Sequence, residues 1–96
     1  MNRADTLALL RLHKAEMASR FGVAHLALVG SRAREQARDD SDADFVVAFE
    51  GPASSARFFG LQFYLEDLLG CPVDLVTDKV LRPELRLAIE RDAIRI

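Results

Sequence analysis

Three aspartates near a short Gly-Ser turn are the side chains of this sequence best suited to chemistry. Asp42 and Asp44 stand one residue apart at the start of an apolar run, and Asp74 lies inside a second apolar run. Carboxylates directed at one place repel one another, since unit charges about 4 Å apart cost about 4 kcal/mol at an effective dielectric of about 20. A fold that assembles such a cluster usually does so to hold a cation. With Gly30 and Ser31 nearby, we expect Mg²⁺ carrying a nucleoside triphosphate.

Strand alternation predicts that these aspartates share one face of a sheet. Residues i and i+2 of a strand point to the same side, so Asp42 and Asp44 are on one face if the strand begins near Asp42. Asp74 lies between Val73 and Leu75, whose apolar side chains we expect to face the core. If the two strands are neighbours, all three carboxylates meet on the face that points away from the core.

Each motif also has a simpler explanation. An Asp-x-Asp pair is common in turns, where it hydrogen-bonds local backbone, and Asp74 could pair with an arginine. Gly30 and Ser31 could be only a turn glycine and a helix N-cap. In the functional interpretation, the backbone N–H groups after Gly30 bind a phosphate, and the Ser31 hydroxyl and the Arg34 guanidinium add to that binding.

The hydrophobic pattern predicts an α/β (α+β) domain that carries these motifs at the ends of strands. Predicted helices cover residues 4–20, 55–69 and 83–90, with a short helical turn over 31–37, and predicted strands cover 25–29, 44–49, 72–77 and 93–96. We expect one domain over residues 1–96, built as a small mixed β-sheet with helices packed mainly on one face. The strand at 44–49 is apolar on both faces, which predicts a central position.

Composition excludes several functional classes. The chain has 96 residues, which suits one domain, and its net charge of −2 argues against a general nucleic-acid binder. A single cysteine cannot form an internal disulfide. No apolar run reaches the roughly 18 residues of a membrane span, and charges interrupt the region where a signal peptide would be apolar. We therefore expect a cytoplasmic protein with no membrane contact and no direct nucleic-acid ligand.

Taken together, the motifs resemble those of nucleotidyltransferases of the polymerase-β type. Their signature is Gly-Ser, a spacer, Asp-x-Asp, and a third Asp on a later strand. The resemblance is closest to the minimal nucleotidyltransferases, the MntA-like group, whose motif reads roughly G-S-x-A-R-G, a short spacer, then S-D-x-D. Here it reads GSRARE from Gly30 to Glu35 and SDADF from Ser41 to Phe45, with Asp74 in CPVDLV.

The resemblance implies a nucleotidyltransferase fold, a reaction and a partner. MntA-like antitoxins transfer AMP from ATP to a tyrosine hydroxyl of a HEPN-domain protein, a small helical RNase or toxin, and so silence it. The implied partner makes a hetero-oligomer possible. The implied metal ligands and catalytic residues, for two Mg²⁺ ions, are Asp42, Asp44 and Asp74; the implied nucleotide-binding residues are Gly30, Ser31 and Arg34.

One departure from the motif keeps an alternative open. The family usually has glycine where this chain has Glu35, which adds bulk and negative charge near the expected phosphates. The alternative is a non-catalytic antitoxin or binding module that neutralises its partner by occupancy alone. A third interpretation, transfer to a small molecule such as an aminoglycoside, would need an acceptor-binding domain for which the chain has little room.

We predict that Glu35→Gly raises the affinity for ATP by about 1 kcal/mol, roughly fivefold, because it removes a charge that opposes the triphosphate. Isothermal titration of both proteins with ATP and Mg²⁺, at low and high salt, measures the difference, which salt should reduce. Equal affinities at low salt would show that Glu35 points into solvent or pairs with Arg32 or Arg38.

Overall fold

A computed structural model describes residues 3–30, 43–79 and 93–96 of the chain. The elements in these residues are α1 (Arg3–Leu12), α2 (Lys14–Phe21), β1 (Val23–Val29), β2 (Ala43–Phe49), α3 (Ser55–Leu69), β3 (Val73–Thr77) and β4 (Ile94–Arg95). The predicted helices over 31–37 and 83–90, together with Ser31, Arg34, Glu35 and Asp42, lie outside the described residues. Among the described residues, no helix is both long and apolar enough to cross a membrane.

The four strands form one mixed sheet in the order β3-β2-β1-β4. Strand β1 is antiparallel to both β2 and β4, and β2 is parallel to β3. Helix α3 lies between β2 and β3 in the chain, as a parallel pair requires, because the chain must cross back before it can run in the same direction again. Strand β2 is flanked by β1 and β3, the central position that its apolar residues on both faces predicted.

One face of the sheet forms the hydrophobic core together with the helices. Its largest buried side chain is Phe45, which is only 1% exposed. The strands contribute Leu26, Leu28, Ala43, Phe45, Val47, Val73 and Leu75, and the helices contribute Leu7, Leu10, Met17, Leu61, Leu65 and Leu69. Buried residues alternate with more exposed residues along β2 and β3, which is the pattern of a sheet with a single covered face. The predicted α+β architecture, with helices on one face of a mixed sheet, is confirmed.

The first predicted helix is wrong in one respect, because residues 4–20 form two helices rather than one. His13 separates them, with φ −101° and ψ 9°, outside the helical range. Its N–H donates to the Leu10 carbonyl at 3.1 Å, three residues back, which ends α1 in a tight turn. Its own carbonyl accepts from the Met17 N–H at 3.0 Å and so begins α2. Sequence pattern alone did not reveal this break, because the apolar spacing continues across it.

A polar network on the outside of the helices joins α2 to α3. The Tyr64 hydroxyl donates to Glu16 Oε2 at 2.9 Å, and Arg20 Nη1 donates to Glu16 Oε1 at 3.2 Å. The Arg20 guanidinium also lies 5.3 Å from the centre of the Tyr64 ring. Hydrogen bonds from Tyr64, His13 and Arg20 lower the pKa of the Glu16 carboxyl, because each stabilises its ionised form. Burial and the bond to Glu16 raise the pKa of the Tyr64 hydroxyl.

We predict that Tyr64→Phe raises the pKa of Glu16 towards its ordinary value, because the substitution removes a hydrogen bond and keeps the ring. The folded pKa of Glu16 is depressed, so its contribution to stability is present above about pH 4.3, the usual glutamate value, and is lost as the pH falls through the folded pKa. The difference in stability between wild type and Tyr64→Phe should therefore shrink in acid. Carboxyl NMR titration and urea unfolding at two pH values measure both effects.

The matched control is Phe63→Leu, which changes the neighbouring exposed aromatic residue of α3. It should leave the pKa of Glu16 unchanged. An unchanged Glu16 pKa in Tyr64→Phe would show that the hydrogen bond does not form in solution.

Candidate active site

Two of the three predicted aspartates lie directly opposite each other on neighbouring strands. Asp44 of β2 and Asp74 of β3 are partners in the parallel register. The residues on either side of them, Ala43, Phe45, Val73 and Leu75, are at most 7% exposed and belong to the core. Asp44 and Asp74 must therefore point to the opposite face, where Asp44 is half-buried and Asp74 is exposed. This is the shared face that alternation predicted for this pair; Asp42 precedes the described part of β2.

The backbone of Gly30 lies against the Asp44 carboxylate. Gly30 directly follows β1, whose last residue, Val29, pairs with Asp44 in the antiparallel ladder. A Cβ atom at Gly30 would lie 2.5 Å from Asp44 Oδ2, closer than van der Waals contact allows. Gly30 also has φ +73°, in the left-handed region that residues with side chains rarely adopt. Both conditions require glycine, so the turn brings a main-chain segment to the acids.

The donor set at this edge of the sheet fits a divalent cation of the magnesium type. Carboxylate oxygens are the ligands that Mg²⁺ prefers, and neighbouring strands are about 4.8 Å apart, which lets two side chains share one ion. Within residues 3–30, 43–79 and 93–96, no group of three or more histidine, cysteine, aspartate or glutamate side chains could hold a metal ion. Asp42 would be needed to complete the predicted set, and it is not among those residues.

Neither histidine belongs to this site. His13 separates α1 from α2 and contacts Glu16 and Tyr64 on the helical side of the molecule. His25 pairs with Ala48, four residues along β2 from Asp44, which corresponds to about 13 Å of strand. Both histidines therefore lie away from the paired acids.

A pair of contacts beside the acids was missed by the sequence analysis. Gln62 and Glu66 of α3 hydrogen-bond the backbone of Val73, the residue that precedes Asp74. Their only signal in the sequence is position: each directly follows a buried leucine, Leu61 or Leu65, and so flanks the apolar stripe of the helix. Polar residues at such positions are usually solvated, and only the packing of α3 on β3 reveals their partner.

Comparison with known proteins places these features in a family. The model of the nucleotidyltransferase domain matches residues 10–96. The protein adenylyltransferase MntA of Thermococcus cleftensis is 38% identical over 89 residues, which cover 93% of this chain and 90% of that protein. A solved structure assigned as a minimal nucleotidyltransferase superposes with a TM-score of 0.83 at 38% identity, covering 100% of this chain and 97% of the other.

A more distant likeness concerns the fold alone. A toxin–antitoxin crystal structure with AMP-PNP superposes with a TM-score of 0.68 at 20% identity. The superposition covers 99% of this chain and 72% of the other. The same sheet and helices therefore occur in a chain that has diverged widely in sequence.

We predict that Gly30→Ala destabilises the fold by roughly 2 kcal/mol or more, because it combines a strained φ with crowding of the Asp44 carboxylate. Gly51→Ala is the matched control, since Gly51 has φ +78° but no atom within 4 Å of the added Cβ. Gly51→Ala should lower the free energy of unfolding only through its unfavourable φ, by about 1 kcal/mol. Urea unfolding compares the two variants; equal losses would mean that Asp44 moves aside freely.

Proposed function

This chain belongs to the nucleotidyltransferase domain family, and we propose from that premise that it transfers AMP from ATP to a tyrosine hydroxyl of a HEPN-type toxin. It would act as the antitoxin of that partner. The observation that carries the proposal is the pairing of Asp44 with Asp74 on the exposed face of the sheet, with the Gly30 backbone against Asp44. The identity to an archaeal protein adenylyltransferase, over nearly the whole length of both chains, supports the same reaction.

The proposed binding roles combine the positions of Gly30, Asp44 and Asp74 with the motif. The carboxylates of Asp42, Asp44 and Asp74 would hold two Mg²⁺ ions, which when bound neutralise triphosphate charge and polarise the α-phosphate. The main chain at Gly30 would bind the β- and γ-phosphates. The Ser31 hydroxyl and the Arg34 guanidinium would add to this nucleotide binding. The roles of Ser31, Arg34 and Asp42 are proposed from the sequence motif alone.

The proposed transfer is an in-line displacement at the α-phosphate. The acceptor oxygen forms a bond to this phosphorus as the bond to the β-phosphate oxygen breaks, and pyrophosphate leaves. The proton of the acceptor hydroxyl passes to the Asp74 carboxylate. Asp74 is suited to this role because it is the more exposed of the paired acids and lies on an edge strand of the described sheet. An acceptor can therefore approach it from solvent.

The acceptor tyrosine must come from another molecule. Tyr64 is the only tyrosine of the chain. Its hydroxyl is bonded to Glu16, and its ring contacts Phe21, both on the helical layer. The acids are on the opposite face of the sheet, so Tyr64 cannot reach them without unfolding. On the open face, Val76 lies two residues beyond Asp74 and is 38% exposed, which offers an apolar contact to an incoming aromatic ring.

The second candidate is an antitoxin that neutralises its partner by occupancy alone. Glu35 favours it, because a negative charge replaces the glycine usual in the motif. This candidate requires no nucleotide binding and no pyrophosphate release. It retains a toxin partner and differs only in whether the partner is modified.

We predict that Asp44→Asn and Asp74→Asn each reduce AMP transfer by roughly 100-fold or more, because each removes a ligand charge at constant size. The measurement is transfer of labelled AMP from ATP to a HEPN-type partner protein, with intact mass to count the groups added. The matched control is Asp67→Asn, which neutralises an exposed carboxylate of α3 and should transfer normally. Circular dichroism checks that all three variants fold.

Wild-type transfer by folded Asp44→Asn would contradict the two-metal reaction. A variant that transfers no AMP but still neutralises the partner completely would favour occupancy.

A further inference from the structure

The first residue of β3 is held from its outer side by two side chains of α3. Gln62 Nε2 donates to the Val73 carbonyl at 2.9 Å. The Val73 N–H donates to Glu66 Oε2 at 3.1 Å. Gln62 and Glu66 are four residues apart, so they lie on the same side of the helix, one turn apart. Both polar groups of a single peptide residue are thus satisfied by one helix.

The direction of the Val73 peptide groups explains why they need these partners. The Ala43 N–H donates to the Pro72 carbonyl at 3.0 Å, and the Asp78 N–H donates to the Val47 carbonyl at 3.1 Å. In a parallel pair the residues that bond to the neighbouring strand alternate, so the even-numbered residues of β3 face β2. Val73 therefore directs its N–H and carbonyl away from β2, towards the side where the described sheet has no further strand.

Gln62 and Glu66 supply the hydrogen-bond partners that a neighbouring strand would provide on this side. A neighbouring strand would offer one acceptor and one donor to Val73, and the carboxylate and the amide offer the same pair. The two bonds hold Val73 from one side while the ladder holds Pro72 from the other. The beginning of β3 is then fixed along its axis to within the tolerance of a hydrogen bond.

The two hydrogen bonds to Val73 also restrain Asp74, the proposed catalytic residue that follows it. The buried side chains of Val73 and Leu75 already prevent a one-residue slip, which would turn Asp74 into the core. They do not fix smaller shifts along the strand, because apolar packing has no direction. Hydrogen bonds are directional, so the two bonds to Val73 oppose these smaller shifts. Because Asp74 directly follows Val73, its position is restrained as well.

We propose that Gln62 and Glu66 are positioning residues that hold Asp74 level with Asp44, and this inference rests on the function proposed above. They touch neither nucleotide nor acceptor in that scheme. Their effect is on where the Asp74 carboxylate stands when the acceptor arrives and when a cation is shared with Asp44.

The first test is metal binding by the free chain, with Mn²⁺ alone as the probe. Wild-type protein labelled with ¹⁵N should show paramagnetic broadening of the Asp44 and Asp74 amide signals on titration. Glu66→Ala should weaken the broadening at Asp74 at least threefold and speed hydrogen exchange of the Val73 amide about tenfold. Glu66→Gln retains an oxygen acceptor and should restore both towards wild type.

Two further variants separate positioning from general stability. Gln62→Leu keeps an uncharged side chain of similar volume but removes the donor, so it should weaken Mn²⁺ binding as Glu66→Ala does. Asp67→Ala, next to Glu66 and exposed, is the control and should behave as wild type. Hydrogen exchange at Leu26, in the core of β1, reports global unfolding and should not follow the Val73 amide.

The second test is turnover with ATP and the partner. Misplacing Asp74 should lower kcat about tenfold and leave KM for ATP within about twofold, because the nucleotide is held mainly by the other residues of the motif. Rescue by Glu66→Gln should appear in kcat as well. A loss of stability alone would change the amount of active protein and would not be rescued in parallel with Mn²⁺ binding.

The outcomes separate this inference from the proposed function. Mn²⁺ binding that is unchanged in Glu66→Ala and Gln62→Leu would overturn the positioning role, even if AMP transfer is observed. Mn²⁺ binding that responds to these variants in a protein without AMP transfer would support positioning and refute the proposed reaction. Wild-type protein without any broadening at Asp74 would overturn both.

Discussion

The parallel pairing of β2 with β3 is the constraint on which the candidate site depends. Its register makes Asp44 and Asp74 direct partners. The apolar neighbours of each aspartate are buried, so the core fixes which way both carboxylates point. The hydrophobic effect thus supplies the orientation, and the hydrogen-bond ladder supplies the alignment along the strands. Neither acid could be moved to the other face without exposing core residues.

Much of this arrangement could be predicted from the sequence, because alternation is a local property. The pattern around Asp44 and Asp74 shows which side each must take, and the glycine before Ser31 indicates a turn. The adjacency of the two strands is not local. It follows from chain topology, and in the sequence it was supported only by the motif resemblance. The contributions of Ser31, Arg34 and Asp42 remain predictions.

The features that sequence reasoning missed are those that depend on distance between separate elements. The closeness of Gly30 to Asp44 Oδ2 is set by the β1–β2 pairing, although the glycine itself was identified. Gln62 and Glu66 resemble ordinary polar helix residues until α3 is packed beside Val73. The interruption at His13 depends on the backbone conformation of that residue, which the spacing of apolar residues does not reveal. In each case the residue type was compatible with several structures, and packing selected one.

The sheet also separates two kinds of chemistry. Apolar side chains and the Glu16–Tyr64 bond occupy the helical layer, whereas the acids face outward. This division lets the exposed face carry like charges without placing them in the core, where unpaired charge is strongly unfavourable. It also means that substitutions on one face can be made with little direct effect on the packing of the other.

The crossover from β2 through α3 to β3 has a consequence for how the molecule acquires its activity. Asp44, Asp74 and the two helix side chains beside Val73 all belong to this one supersecondary unit. Its parallel pairing joins residues thirty positions apart, so chain entropy opposes it until the helix has docked. A partly folded chain with only the β1–β2 hairpin in place would hold one acid and lack the other. Competence to bind a shared cation would then arise late in folding, and a cation would stabilise only the finished molecule.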